Sequence, residues 1–199
     1  MRKKSHIALT TYLIQNMNVK ELYNHKTSFY IGSLWPDCVP SFITKRHCMT
    51  ETFDIVEKEI KKITEDYKEH KGITRYYCRH LGIITHYIAD FFTLPHNETF
   101  QGNLKEHCIY ENHLKHALKS YVHTEEVKLS REKNPIMRTV DEICAIIREL
   151  HTEYLEIVQG VRTDCEYIVK VCQRVVDVIL QILELCFQPF LYTAREKTA

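Results

Sequence analysis

A chain of 199 residues, 44% hydrophobic with 12 Tyr and 8 Phe, is long enough to bury one sizeable core. Its formal net charge of +1 predicts neither the basic footprint of a typical nucleic-acid binder nor strong attraction to anionic membranes. Only 5 Gly and 5 Pro occur and no linker stands out, whereas 12 histidines are an unusual load that suits a metal site.

Apolar residues recur at helical period, and no run of alternating strand residues is evident. The first helix is expected to open after Ser5, a candidate N-cap, and to run to about Asn16. The basic start MRKK is followed by a short, polar-interrupted apolar stretch with no cleavage site. A cytoplasmic protein without a signal peptide is therefore expected. A second helix covers about 18–33 and stops before Trp35-Pro36-Asp37. Proline disfavours helix at the residue before it, which places Asp37 in a loop.

The segment 51–70 alternates charges on one face and presents Phe53, Val56, Ile60 and Ile63 on the other, with Gly72 as its stop. Further helices are expected over about 73–93, with Pro95 at the exit, and over about 103–123. A charged stretch then leads through Pro135 into a helix of about 136–159. Gly160 breaks it, and the last helix spans about 163–187. Asp177, Gln181 and Glu184 form a polar stripe there, so that helix reads as mostly buried and not as a membrane span. The expectation is one all-α domain, a helical bundle over residues 1–199. None of the eight cysteines forms a C-x-x-C pair, and several lie in apolar helical patterns, so buried reduced thiols are expected.

Most chemical information lies in HLGIITHYIADFFTLPHNETFQGNLKEHCIYE, residues 80–111. His86, Asp90, His96, His107 and Glu111 follow one another at spacings of 4, 6, 11 and 4. Residues four apart share a helix face, so His86/Asp90 and His107/Glu111 are two imidazole–carboxylate pairs, each able to close on one metal ion. His96, just past Pro95, can reach back from a turn. Nitrogen and oxygen ligands without a thiolate pattern suit catalytic zinc better than a structural finger. Single H-x-x-x-[DE] pairs also stabilise exposed helices, but two of them bracketing Pro-His favour metal.

Helix geometry turns His80 about 120° from His86, and turns His113 and His116 about 120° and 180° from the His107 face. These three read as surface or supporting histidines. His25, His70, His123 and His151 lie in strongly polar surroundings, without a buried-looking paired carboxylate at helical spacing, and read as ordinary polar residues. Gly82 lies one turn before His86 inside a good helix, which suggests close approach by another backbone or a ligand.

The segment HYIADFFTLPH, with H-x-x-x-E on the next helix, resembles the zinc-dependent phospholipase C family, whose relatives include single-strand-specific nucleases. The resemblance covers about residues 5–111 and implies an all-α fold with zinc ions clustered in a cleft. Upstream, that family has a histidine on its first helix, a loop aspartate and a further histidine. His6 and Asp37 match the first two; His47 is the candidate for the third, with His80 and His70 as alternatives. The resemblance implies that Asp37, His47, His86 and Asp90 hold one zinc and His96, His107 and Glu111 a second. His6 and a bridging Asp90 would hold a third. Secreted members complete that third site with the amino group and carbonyl of an N-terminal tryptophan. Here MRKKS precedes His6 and the sole tryptophan is Trp35, leaving Met1 or water as substitutes.

The implied activity is hydrolysis of a phosphodiester, in a phospholipid or another phosphate ester, with Asp37 as the proton-accepting carboxylate. A single-strand nuclease is the alternative enzyme, although near-neutral charge speaks against its basic groove. A metal-stabilised scaffold or sensor is the non-catalytic alternative. A His-Asp phosphohydrolase is disfavoured because no H-D dipeptide occurs.

Overall fold

The structure, a computed structural model, describes residues 1–40, 45–67, 72–124, 127, 139–158 and 160–195, with side chains as far as Leu183. Among the described residues it is helical, without strands. The helices are α1 (Lys3–Asn16), α2 (Lys20–Asn24), α3 (Lys26–Leu34), α4 (Met49–Ile63), α5 (Arg75–Phe91), α6 (Leu104–Tyr121), α7 (Val140–Glu156) and α8 (Val161–Arg195). A 3-10 turn, Leu94–His96, joins α5 to α6. One connected apolar core runs through these elements, with Leu9, Phe29, Tyr77, Phe92 and Ile179 among its fully or almost fully buried members.

Helix α5 is the axis of the fold. Thr74 caps it by accepting from the Tyr77 amide, and every residue from His80 to Phe91 is buried. It packs on α3, α4 and α8, and also touches α1. Its closest partner is α3, because glycines face one another across the contact. A Cβ built on Gly82 would lie 2.4 Å from the Phe29 carbonyl oxygen, and one on Gly32 would lie 2.0 Å from that of Arg79. The expected close approach at Gly82 is thus made by the α3 backbone. It brings the Ser33 carbonyl within 2.8 Å of His86 Nδ1.

Several expected boundaries shift. Helix α1 starts before Ser5, which is not its cap: the Ser5 amide bonds the Arg2 carbonyl at 2.8 Å, and Ser5 itself is buried inside the helix. The expected helix over 18–33 is two pieces. Asn18 takes a left-handed φ of 57°, which asparagine tolerates, and His25 at φ −108°, ψ 20° interrupts the rest. Helix α4 ends at Ile63, where Thr64 leaves helical geometry at φ −120°, ψ −82°. Tyr67 then folds back so that its hydroxyl meets Thr74 Oγ1 at 2.5 Å. Gly72, at φ 86°, lies beyond that end and turns the chain towards α5. Val56, Ile60 and Ile63 are fully buried as expected, and Phe53 partly so.

Capping boxes start α6 (Asn103 with Glu106) and α7 (Thr139 with Glu142), which fixes two further entries. Residues 136–138, expected to open α7, lie outside the described residues. Helix α8 follows Gly160; Asp177 and Gln181 are half-buried, and the Glu184 side chain lies outside the description. No helix among the described residues is long and apolar enough to cross a membrane. The seven described cysteines are free thiols; Cys48, Cys78, Cys144, Cys165 and Cys172 are buried as expected, but Cys38 and Cys108 are exposed.

The Gly82 contact leaves no room for a side chain. Gly82→Ala should cost about 1–3 kcal/mol in denaturant unfolding, the usual penalty for overpacking. Gly160→Ala, where nothing lies within 4 Å, should stay within about 0.5 kcal/mol. Equal effects at the two positions would contradict backbone contact as the reason for Gly82.

Candidate metal centre

Asp90, in the last turn of α5, has no solvent exposure. A carboxylate buried this deeply demands compensation, so its neighbours define the site. Oδ1 accepts from the Met1 α-amino group at 2.6 Å and lies 3.5 Å from His6 Nε2. Oδ2 lies 2.9 Å from His47 Nδ1 and 3.3 Å from His86 Nε2. Asp37, in the turn after α3, places Oδ1 3.7 Å from His86 Nε2 and 3.9 Å from His47 Nδ1.

Beside this group, His96 from the 3-10 turn and His107 from α6 both point at Glu111. Their Nε2 atoms lie 3.3 and 3.2 Å from Glu111 Oε1. The Met1 amine links the two halves, standing 2.9 Å from His96 Nε2 and 3.1 Å from Glu111 Oε1. All eight side chains singled out in the sequence are therefore brought together. Three sets have ligand atoms within 4.8 Å of one another: His6, Asp37 and His86; His47, His86 and Asp90; His96, His107 and Glu111. Of the alternatives to His47, His80 points elsewhere and is bonded to Glu59, while His70 lies outside the described residues.

Backbone carbonyls aim two of the rings. His86 Nδ1 donates to Ser33 O at 2.8 Å and His96 Nδ1 donates to His47 O at 3.0 Å. With the proton held on Nδ1, the Nε2 lone pair of each ring faces the carboxylates, the tautomer that a metal ligand needs. His6 stacks on His86 with ring centroids 3.9 Å apart. It is 1% exposed, and neither of its ring nitrogens has a hydrogen-bond partner. A buried imidazole with Nε2 3.5 Å from a buried carboxylate, too far for a good hydrogen bond, fits a cation between them.

Electrostatics agree with that arrangement. Burial, with His86 alongside, pushes the His6 imidazolium down to about 3, so the ring is neutral. Burial would raise Asp90, but the Met1 amine and His96, His86 and His6 outweigh it and hold the carboxyl well below the usual range. Burial likewise opposes ionisation of Glu111, and hydrogen bonds from His107 and His96 overcome it. Both carboxylates are thus charged, and burial pushes His6 and His96 towards neutral imidazole, the nitrogen donor zinc takes; at His47, burial is outweighed by the hydrogen bond and charge of Asp90, which pull the ring the other way.

The remaining histidines divide differently from expectation. His113 and His116 are exposed, as their rotation from the His107 face implies. His80 is buried against Glu59, and His151 is buried with Nε2 donating to Asn97 Oδ1 at 2.9 Å. Asn97 in turn donates to the carbonyls of Phe91 and Thr93, each at 3.0 Å, so His151 helps shape the chain just after α5. The Ser33 and His47 carbonyls left no recognisable mark in the sequence, and the Met1 amine stood there only as an alternative to water. All are main-chain groups.

A recess lined by Arg46, Asn97, Phe100, Asn103, Leu104 and His107 opens beside the second set. The description of zinc-dependent phospholipase C as a family matches residues 5–160, well over half of the chain. No curated protein and no solved structure matches it. With the helical fold and the convergence of eight ligand-type side chains around Asp90 and Glu111, that match is decisive: the chain belongs to the zinc-dependent phospholipase C family.

Proposed function

We propose that the chain is a zinc-dependent phosphodiesterase acting on a phospholipid or a related phosphate ester at the Asp90–Glu111 cluster. The observation that carries this reading is the buried, orphaned His6 beside a fully buried Asp90, within a ring of further ligand-type groups. His47, His86 and Asp90, with Asp37, form one ligand set, and His96, His107 and Glu111 a second. His6 and Asp90 form the third, with the Met1 amine, 2.6 Å from Asp90 Oδ1, as its further donor. Zinc bound at these sets supplies positive charge against the phosphoryl oxygens and lowers the pKa of water to near neutrality.

The chain's own groups do the rest. Asp90, shielded from solvent, binds the sets to one another. Ser33 and the His47 backbone hold the rings in one tautomer. Asp37 is suited to accept a proton: its side chain is 24% exposed, against 0% for Asp90 and 14% for Glu111, so water reaches it most readily. The recess beside His107 gives a phosphate ester its approach.

Turnover of bis-p-nitrophenyl phosphate should be abolished by chelation and restored by zinc. A chain that holds stoichiometric zinc yet hydrolyses no phosphodiester, phosphatidylcholine vesicles included, would favour the scaffold reading instead. Asp37→Asn should keep its zinc and lose about 10²–10⁴-fold in kcat, the range for general-base catalysis. Loss of metal together with activity would reduce Asp37 to a ligand. An N-terminal Gly-Ser extension moves the amine out of the cluster. It should weaken zinc at the His6 set on the order of tenfold or more and leave the Glu111 set loaded. Unchanged zinc affinity would remove Met1 from the site.

A further inference from the structure

Asp164 lies in the first turn of α8, past the end of the region matched to the family, and is fully buried. Its Oδ2 accepts from the Leu94 amide and from the Tyr110 hydroxyl, both at 2.9 Å, and its Oδ1 accepts from the Tyr154 hydroxyl at 2.8 Å. Those three donors belong to different elements. Leu94 opens the 3-10 turn that carries His96, Tyr110 sits on α6 directly before Glu111, and Tyr154 sits on α7. Burial pushes the Asp164 carboxyl up to about 6, against the pull of these hydrogen bonds, so it is ionised at neutral pH and each bond is charge-assisted.

The geometry points to Asp164 as a positioning residue for the second ligand set. One oxygen, Oδ2, bonds both the turn holding His96 and the helix holding His107 and Glu111. These elements meet at Glu111 Oε1, where two imidazole nitrogens must converge within a few tenths of an ångström for joint coordination. Pro95 deprives that turn of one backbone donor, so the Leu94 amide is a principal handle by which the turn is held from outside. Supporting bonds of this kind govern metal affinity through ligand orientation. The bond from Tyr154 reaches the other oxygen and comes from a helix that carries no ligand, which separates positioning from general stability.

This inference rests on the zinc reading above. The test is graded chelator competition on the full chain loaded with zinc, alongside thermal unfolding, for wild type, Asp164→Asn, Tyr110→Phe and Tyr154→Phe. Asp164→Asn and Tyr110→Phe should weaken one zinc class about 10–100-fold and leave the remaining zinc unchanged. Tyr154→Phe should lower Tm but leave every zinc class within about twofold. Equal zinc loss for Tyr110→Phe and Tyr154→Phe, weakening of all classes together, or no change for Tyr110→Phe would overturn the positioning role while leaving the zinc reading intact. A wild-type chain that binds no zinc would overturn both.

Discussion

Everything in the site depends on the burial of the Asp90 carboxylate. A lone ionised carboxylate at zero exposure would cost several kcal/mol, so the fold has to supply opposing charge and donors from every side. Those partners come from distant parts of the chain: the first residue, α1, the segment ahead of α4, and α5 itself. Satisfying one group therefore fixes how the N-terminal helices gather around α5. A divalent cation is the compensation this constellation suits best, because hydrogen bonding alone leaves His6 unpaired.

The glycine contact between α3 and α5 is part of the same constraint. Ser33 can meet His86 only if the two backbones nearly touch, and they touch because neither Gly32 nor Gly82 carries a Cβ. On the far side, the chain leaving α5 is held by Asn97 and His151, and the Leu94–His96 turn by Asp164. The C-terminal helices add no side chain to the cluster among the described residues, yet their polar groups buttress the turn that does. Core packing and site geometry are thus one arrangement.

Much of this was legible in the sequence because helical spacing is strict. His86 with Asp90 and His107 with Glu111 had to share helix faces, and Pro95 had to interrupt the chain between them. Rotation about the helix likewise set His80, His113 and His116 apart. The upstream partners were legible mainly through family resemblance, since the distance from Asp37 to His47 crosses irregular backbone where spacing carries little geometry. Met1 could be named only as an alternative to water, and the Ser33 and His47 carbonyls could not be read at all, because every residue has such groups and only folding selects among them. Boundaries moved for similar reasons. Ser5 is a good cap by type, but drawing Met1 to Asp90 starts α1 earlier, and His25 interrupts what apolar periodicity alone would continue.

Membership of the zinc-dependent phospholipase C family gives the chain its class of chemistry, a zinc-dependent hydrolase, and the Asp90–Glu111 cluster is where we propose that chemistry occurs. If Asp90 and Glu111 are buried or half-buried because they face metal, zinc binds between each carboxylate and its histidines. Anomalous diffraction at the zinc absorption edge, from crystals of the zinc-loaded protein, tests it most directly. Peaks should fall between Asp90 and its surrounding histidines, and between Glu111, His96 and His107. Empty density at these positions in zinc-saturated crystals, or zinc confined to exposed residues such as His113 and His116, would contradict the account.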